Sequence, residues 1–257
     1  SLALAQDSIE GELDLVEQFA ALEEELEVWV ATKTAGSLES APAVVTVLKG
    51  EEIRAAGHRS LADALRSVLG FYVIDDHSLP NVTVRGVAGG QWGESGNLKV
   101  MIDGHPVAFR PTAGNWLGPE LIPLSAIERV EIVRGPASAL YGADAFLGVI
   151  NVVTRGHEQL EDAVLAVGVN RMQAGLGTDV DLGVTTRISS FDLGLFLRNR
   201  GEDRSGLGLP SSSPSPLVPG FSDGRTDARE ALLGSTVGLL KVGYSHGSFK
   251  ATLSGYL

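Results

Sequence analysis

Residues 126–154 read AIERVEIVRGPASALYGADAFLGVINVVT, and this stretch decides the fold. Its apolar run Val130–Val133 predicts a strand, and Ser125 before it is placed to cap a short turn. Gly135-Pro136 marks the start of a short helix that runs towards Tyr141. A second apolar run, Val149–Val153, predicts another strand. The stretch therefore predicts two strands that flank a short helix.

The residues upstream extend this unit. Val44–Leu48 is a β-branched run that predicts a strand, and Phe71–Ile74 predicts another. Between them Ser60 can cap a helix, and Gly70 can end it. The apolar face expected of this helix consists of Leu61, Ala64, Leu65, Val68 and Leu69. The pattern predicts a β-α-β unit.

Two further strands are expected before residue 126. Val82–Arg85 forms a short apolar run, and Lys99–Ile102 leads into Asp103-Gly104, a strong hairpin signal, followed by Pro106-Val107. With the strands already described, they predict a small α/β domain with a mixed sheet.

The pattern changes after about residue 158. Apolar side chains now alternate with small or polar ones in segments of about ten residues. The segments run over residues 163–169, 182–188, 191–198, 232–244 and 249–257. Ser189-Ser190 and Gly247-Ser248 predict tight turns, whereas residues 203–229 predict a long polar loop. Such strands are typical of an outer-membrane barrel, and a soluble β-sandwich is the alternative.

Composition excludes several classes of function. The 257 residues contain no Cys, so disulfides, thiolate catalysis and cysteine zinc sites are excluded. Of the formal net charge of -12, nine negative charges lie in the first 30 residues, which contain no Lys or Arg. The remaining residues have no basic stripe that could bind nucleic acid. The five histidines are scattered and belong to no catalytic motif, so we expect no enzyme, no cofactor and no metal site.

Residues 126–154 closely resemble the plug-domain signature of TonB-dependent outer-membrane receptors. Three earlier blocks stand in the order that this family shows: residues 41–65, which begin APAVVTVLKGEEI, then TVRG at 83–86, and VMIDGHPV at 100–107. Leu147 stands where the family usually has Gly, so only the local turn is in question. The resemblance covers about residues 27–155.

The resemblance implies three groups of site residues. Plug arginines of the family pair with carboxylates of the barrel wall, so we expect Arg85, Glu131 and Arg134 to seat the plug. A second group is similar to the TonB box, an extended segment that binds TonB by strand addition. It consists of Glu27, Val28, Trp29, Val30, Ala31 and Thr32. Trp29 is unusual there, and its alternative place is the plug core. Apical loops are the expected substrate contacts, through Gln91, Trp92, Arg110, Asn115 and Trp116.

The chain thus divides into five predicted parts: a signal-peptide remnant (1–6), an acidic extension with helical spacing (7–26), the TonB box and tether (27–43), the plug (44–156) and the first barrel strands (157–257). Ser1 and the absence of an early Met predict that the natural start lies upstream, and the alternation of the last segment predicts further strands downstream.

We therefore expect an α+β plug with a small mixed sheet, followed by the first antiparallel strands of a transmembrane β-barrel. The resemblance implies active transport of a scarce nutrient, such as a siderophore or vitamin, across the outer membrane of a Gram-negative bacterium. The expected partners are TonB with its inner-membrane energising complex, the nutrient and outer-membrane lipid. A signal-transducing receptor and a soluble periplasmic binding module are the alternatives.

Overall fold

Fourteen strands and three short helices make up the described part of the chain. The computed structural model describes residues 27–28, 36–37, 44–75, 80–87, 97–107, 117–118, 121–156, 163–172, 175–203, 232–246 and 249–256. The strands are β1 (Glu27–Val28), β2 (Gly36–Ser37), β3 (Val44–Lys49), β4 (Phe71–Asp75), β5 (Pro80–Val84), β6 (Leu98–Ile102), β7 (His105–Pro106), β8 (Ile127–Arg134), β9 (Gly148–Thr154), β10 (Ala163–Met172), β11 (Gly175–Ile188), β12 (Phe191–Asp203), β13 (Leu232–His246) and β14 (Phe249–Tyr256). The helices are α1 (Gly50–Ala55), α2 (Leu61–Leu65) and α3 (Ser138–Tyr141), with 3₁₀ turns at Leu124–Ala126 and Ala143–Ala145.

The first large sheet is mixed and has the strand order β3-β8-β9-β6-β7. β6 and β9 are parallel, whereas the other neighbours are antiparallel. Its central strands are largely apolar, and Ile132 and Ile150 are fully buried in one core with residues of α1 and α2 and with Phe196 of β12 and Leu239 of β13. Glu131 and Asn151 are buried in the same two strands. This confirms the predicted plug fold with its small mixed sheet.

The two strands of the predicted β-α-β unit do not lie in one sheet. β3 pairs with β8, whereas β4 forms a separate two-stranded sheet with β5, so the two strands of that unit belong to different sheets. Two helices lie between them, and α1 was not expected. β4 pairs with β5 instead because β5 is its next neighbour along the chain, and consecutive strands commonly pair.

Helix α2 begins as predicted and ends early. The Ser60 hydroxyl accepts a hydrogen bond from the backbone N–H of Asp63 at 3.1 Å, which is an N-cap contact. The helix stops at Leu65, and Gly70, with φ of +87°, ends the turns that follow. Leu61, Leu65 and Val68 are buried, but Leu69 is 84% exposed and was wrongly placed on the apolar face.

The hairpin between β6 and β7 turns at Asp103-Gly104, as the sequence predicts. Both residues have positive φ, at 49° and 77°, as a two-residue type I′ turn requires. The turn directs the Asp103 side chain back to the end of β9, where the backbone N–H and the hydroxyl of Thr154 both donate to its carboxylate, at 2.8 and 2.6 Å. The hairpin thereby fixes a carboxylate at one corner of the plug.

The second large sheet consists of β10 to β14 in sequential antiparallel order. Its two faces differ sharply in character. One face carries exposed apolar side chains, which include Leu165, Val167, Val180, Val184, Leu195, Leu197, Leu240 and Leu253. The other face carries buried polar ones, which are Asp179, Asp181, Thr185, Asp192, Arg198, Arg200 and Glu202. An apolar outer band over a polar lumen face is the pattern of a membrane-spanning barrel, and the predicted antiparallel strands are confirmed.

Aromatic rings gather at the tight-turn end of this sheet. Phe191 and Tyr244 have ring centroids 5.0 Å apart, and Tyr244 lies 6.2 Å from Phe249. Aromatic girdles mark the membrane interfaces of such barrels. Separately, within the described residues no helix is long and apolar enough to cross a membrane.

Candidate functional site

The plug meets the inner face of the barrel sheet at a joint built from a few polar contacts. At its centre lies Ser125, which is fully buried in the 3₁₀ turn before β8. Its backbone N–H donates to Oδ2 of Asp181 on β11 at 3.1 Å, and its hydroxyl donates to Oδ1 of the same carboxylate. The prediction that Ser125 caps this turn is wrong, because Ser125 lies inside the turn, Pro123 occupies the N-cap position, and no side chain caps it.

A glycine on the barrel strand permits this close approach. A Cβ atom at Gly183 would lie 2.8 Å from Cβ of Ser125 and 2.9 Å from Cδ1 of Phe196. Any side chain there would push the plug away from β11. Phe196 is itself fully buried, and with Leu239 of β13 it packs into the hydrophobic core of the plug. The two units thus share one apolar core beside the Ser125–Asp181 contact.

A charged cluster lies farther along the same face, on the side of the long loop. Arg198 of β12 donates from Nε to Oδ1 of Asp179 at 2.9 Å, and its Nη2 donates to Oδ2 of Asp179 and to the backbone carbonyl of Arg59 in the plug. Arg59 in turn places its guanidinium 3.9 Å from the carboxylate of Glu202, which also accepts from Arg200 at 3.2 Å. The turn between α1 and α2 is therefore bound to β12.

The third contact lies across the joint at Lys241 of β13. Its Nζ donates to Oδ2 of Asp103 and to the carbonyl of Thr154, each at 3.4 Å, and also to the Thr154 hydroxyl. The Lys241 side chain is 14% exposed, so the ammonium group is largely shielded from water. A charge buried in this way requires such partners, and a plug without the Asp103 hairpin would leave it uncompensated.

The hydrogen bonds continue from this corner into the plug sheet. The backbone N–H of Gly104 donates to Oδ1 of Asn151 at 3.0 Å, and Nδ2 of Asn151 donates to Glu131 at 3.3 Å. Glu131, fully buried, also accepts from Nε of Arg129 at 3.0 Å. Burial, with a smaller contribution from the negative charge of Glu131, raises the pKa of Tyr141 to about 12. A polar path thus runs from the barrel wall through β9 to β8.

Of the three predicted seating residues, Glu131 lies at the plug end of this polar path, whereas Arg85 and Arg134 take no part in it. Arg85 is exposed after β5, with φ of 52°. Arg134 donates from Nη1 to the carbonyl of Leu69 at 3.0 Å, which is a contact within the plug, and its buried Nε has no acceptor among the described residues. Glu131 bonds within the plug sheet, as described above. Their seating role stays a prediction.

The other predicted sites fall mostly outside the described residues. This holds for Trp29, Val30, Ala31 and Thr32 of the TonB box, for the apical Gln91, Trp92, Arg110, Asn115 and Trp116, and for the acidic extension and signal remnant. Glu27 and Val28 are described, and they form a short antiparallel pair with Ser37 and Gly36. Among the described residues no group of three or more acidic or His side chains could hold a metal ion.

Sequence reasoning missed the barrel side of the joint. The signal was present as charges at alternate positions of β11 and β12, at Asp179 and Asp181, and again at Arg198, Arg200 and Glu202. In a barrel strand such positions face the lumen, where a plug would meet them.

Comparison with known proteins agrees with this architecture. Residues 37–149 match the family described as TonB-dependent Receptor Plug Domain. An iron-regulated outer membrane virulence protein of Vibrio cholerae is 36% identical over 147 residues, which cover 55% of this chain and 22% of that protein. The vitamin B12 transporter BtuB of Vibrio cholerae is 27% identical over 229 residues, covering 87% of this chain and 34% of the transporter. The chain therefore spans about a fifth to a third of the length of these relatives.

Solved structures share the fold. The ferric yersiniabactin uptake receptor FyuA from Yersinia pestis superposes with a TM-score of 0.57 at 18% identity, covering 82% of this chain and 30% of that one. The pyoverdine outer membrane receptor FpvA from Pseudomonas aeruginosa gives 0.60 at 15% identity, covering 89% and 29%. Neither these two receptors nor the two relatives above carry the name of an enzyme. The plug match over residues 37–149, the named relatives and the polar-lined barrel sheet together support a TonB-dependent outer-membrane receptor, to which this chain is similar in its plug and its first barrel strands.

Proposed function

We propose that the chain acts in TonB-dependent uptake of a scarce nutrient, with the plug closing the barrel until TonB rearranges it. The observation that carries this proposal is the joint itself. Hydrogen-bonded polar groups form three of its contacts, at Asp181, Arg198 and Lys241, and Phe196 and Leu239 add apolar packing. Such a joint fixes the register of the plug and can still separate, since water can replace each hydrogen bond once the plug moves.

Energy coupling follows from the affinity that a scarce nutrient demands. Nanomolar binding corresponds to about 12 kcal/mol, so release into the periplasm requires work. The outer membrane has no ATP supply, and TonB transmits energy from the inner-membrane proton gradient in this family.

We assign TonB binding to residues 27–32. The pairing of Glu27 and Val28 with Ser37 and Gly36 supports this assignment, because these two residues are in the extended conformation that strand addition needs.

The nutrient class is inferred from named relatives. One relative is an iron-regulated protein and another a vitamin B12 transporter, and the similar structures are receptors for ferric yersiniabactin and pyoverdine. We assign this chain a ferric siderophore or a cobalamin-like vitamin, contacted by the apical residues Gln91, Trp92, Arg110, Asn115 and Trp116. The soluble binding module is disfavoured, because the outer face of β10–β14 exposes Leu165, Val167 and Leu253 at 68 to 73%.

Seating of the plug by Arg85, Glu131 and Arg134 remains part of the proposal. The buried Nε of Arg134, which lacks an acceptor among the described residues, supports a carboxylate partner on the barrel wall. Replacing Arg134 by Ala should leave insertion intact and let small solutes leak through the full-length receptor. Wild-type permeability and uptake would limit Arg134 to its bond with Leu69.

The experiment that tests the transport proposal is uptake by a deletion strain that expresses the full-length receptor under iron or vitamin limitation. Val28→Pro and Val30→Pro each remove an amide donor from the TonB-binding strand, so uptake should cease while cell-surface binding of the nutrient persists. Ser40→Pro, in the tether that already contains Pro42, is the matched control and should support normal uptake. Unchanged uptake in both Val variants would reject the TonB box.

A further inference from the structure

A cleft separates the plug from the first barrel strand. It has a volume of about 290 Å³ and lies between the α1–α2 turn, at Gly57, His58 and Arg59, and the inner face of β10, at Ala166 and Gly168. Val164, Val167 and Val169 of the same strand also line it. The floor of the cleft is formed by Asp179 and Arg198 of the neighbouring strands. This volume lies just below the usual range of pockets for drug-sized ligands, so it suits a single chemical group.

One nitrogen on this floor has an unused hydrogen-bond donor. The Arg198 side chain is only 3% exposed, and its Nε and Nη2 are bound to Asp179 and to the Arg59 carbonyl. Its Nη1 is buried and has no hydrogen-bond partner within the part of the chain that the structure describes. A buried guanidinium N–H without an acceptor is rare in native proteins, and it commonly indicates a missing water or ligand.

The charges around the cleft favour an anion as the missing acceptor. Three arginines line it, at positions 54, 59 and 198, against the two carboxylates of Asp179 and Asp181. Asp179 already accepts two bonds from Arg198, and Asp181 accepts two from Ser125. The lining therefore has one more arginine than carboxylates, and both carboxylates already have donors.

We propose that this cleft binds an oxyanion group, a carboxylate or a phosphate. One oxygen accepts from Nη1 of Arg198, and the guanidinium of Arg59 and the ring of His58 bind the group from the plug side. Planar guanidinium groups are well suited to both anions. The bound group would connect β12 to the α1–α2 turn and so add a link across the joint. The site is separate from the apical residues and does not depend on the transport proposal.

The test is calorimetric titration of the full-length receptor in detergent with sodium phosphate and with sodium acetate. Sodium chloride at equal ionic strength is the reference. Ala166→Leu fills the cleft without changing a charged residue, and Ala163→Leu is its matched control, because Ala163 pairs on the outer face of the same strand. Arg198→Lys keeps the positive charge beside Asp179 and removes Nη1. Heat-modifiable migration in gels confirms that each variant has folded.

We expect the wild type and Ala163→Leu to bind one of the two probes with equal affinity. Ala166→Leu and Arg198→Lys should each weaken that binding at least tenfold. Binding of phosphate alone assigns the site to a phosphate group, and binding of acetate alone assigns it to a carboxylate. The proposal is overturned if neither anion binds better than chloride, because water alone then completes Arg198. It is also overturned if Ala166→Leu binds as tightly as Ala163→Leu.

Discussion

The two five-stranded sheets of this chain bury opposite kinds of side chain. In the plug sheet, Ile132 and Ile150 are fully buried, and Glu131 and Asn151, the buried polar pair in mid-strand, are hydrogen-bonded to each other. In the barrel sheet, Arg198 and Glu202 are buried while Leu195 is 42% exposed. This difference is the one expected if the plug sheet packs around an apolar core while the barrel sheet has lipid on its outer face and the plug on its inner face.

Phe196 is the exception that links the two sheets, and its removal should have the largest effect. Phe196→Ala deletes a fully buried ring from the shared core, and such a cavity costs about 3–5 kcal/mol. We expect faster hydrogen exchange in β8 and β9 of the full-length receptor. Leu195→Ala, one residue away on the exposed face, is the control and should leave plug exchange unchanged. Equal exchange in both variants would show that Phe196 does not join the plug core.

The lipid-facing assignment predicts the next largest effect. Leu195→Arg places a charge near the middle of the outer apolar band, which costs about 2–4 kcal/mol at the bilayer midplane. Folding into lipid vesicles should show this loss of stability. Asn199→Arg lies on the same face, four residues towards the strand end, and should cost about 0–1 kcal/mol. If Leu195→Arg leaves the stability in lipid vesicles unchanged, this face does not contact lipid.

Removing a lysine from the joint should have a larger effect than removing one from an ion pair within the plug. Lys241→Met removes the bonds to Asp103 and Thr154 from a largely buried ammonium, and hydrogen bonds to charged groups are worth about 1.5–3 kcal/mol. The variant should leak small solutes in planar bilayers. Lys99→Met breaks the pair with Asp144 inside the plug, whose carboxylate is 47% exposed, and should cost less than about 1 kcal/mol. Equal leakage by the two variants would contradict the role of Lys241 in the joint.

Much of the fold could be predicted from local pattern. The strand at Val44–Leu48, the Asp103-Gly104 turn and the five alternating segments after residue 158 all occur close to their expected positions. Local signals carry the information in each case, either as turn chemistry or as a period of two. The pairing of β3 with β8 could not be predicted in this way, because these strands are distant in sequence and any apolar strand could fill either position.

The candidate site was harder to predict, for a physical reason. Ser125 has the appearance of a local cap, and its true acceptor, Asp181, lies 56 residues away on another sheet. A short polar side chain can bind its own backbone or a distant carboxylate, and the sequence alone does not distinguish the two. The resemblance predicts that arginines of the plug bind carboxylates of the barrel. In the structure, Arg198 and Lys241 are cations of the barrel strands that donate to acceptors in the plug.

The most direct test of the account is a double-mutant cycle on Ser125 and Asp181 in the full-length receptor. The opening free energy of the plug, measured by hydrogen exchange at Ile127–Arg134, should fall in Ser125→Ala and in Asp181→Asn. The double variant should lose less than the sum of the two, with a coupling energy of about 1 kcal/mol or more, as is usual for groups in contact. Additive losses would contradict the claim that this buried contact seats the plug on the barrel wall.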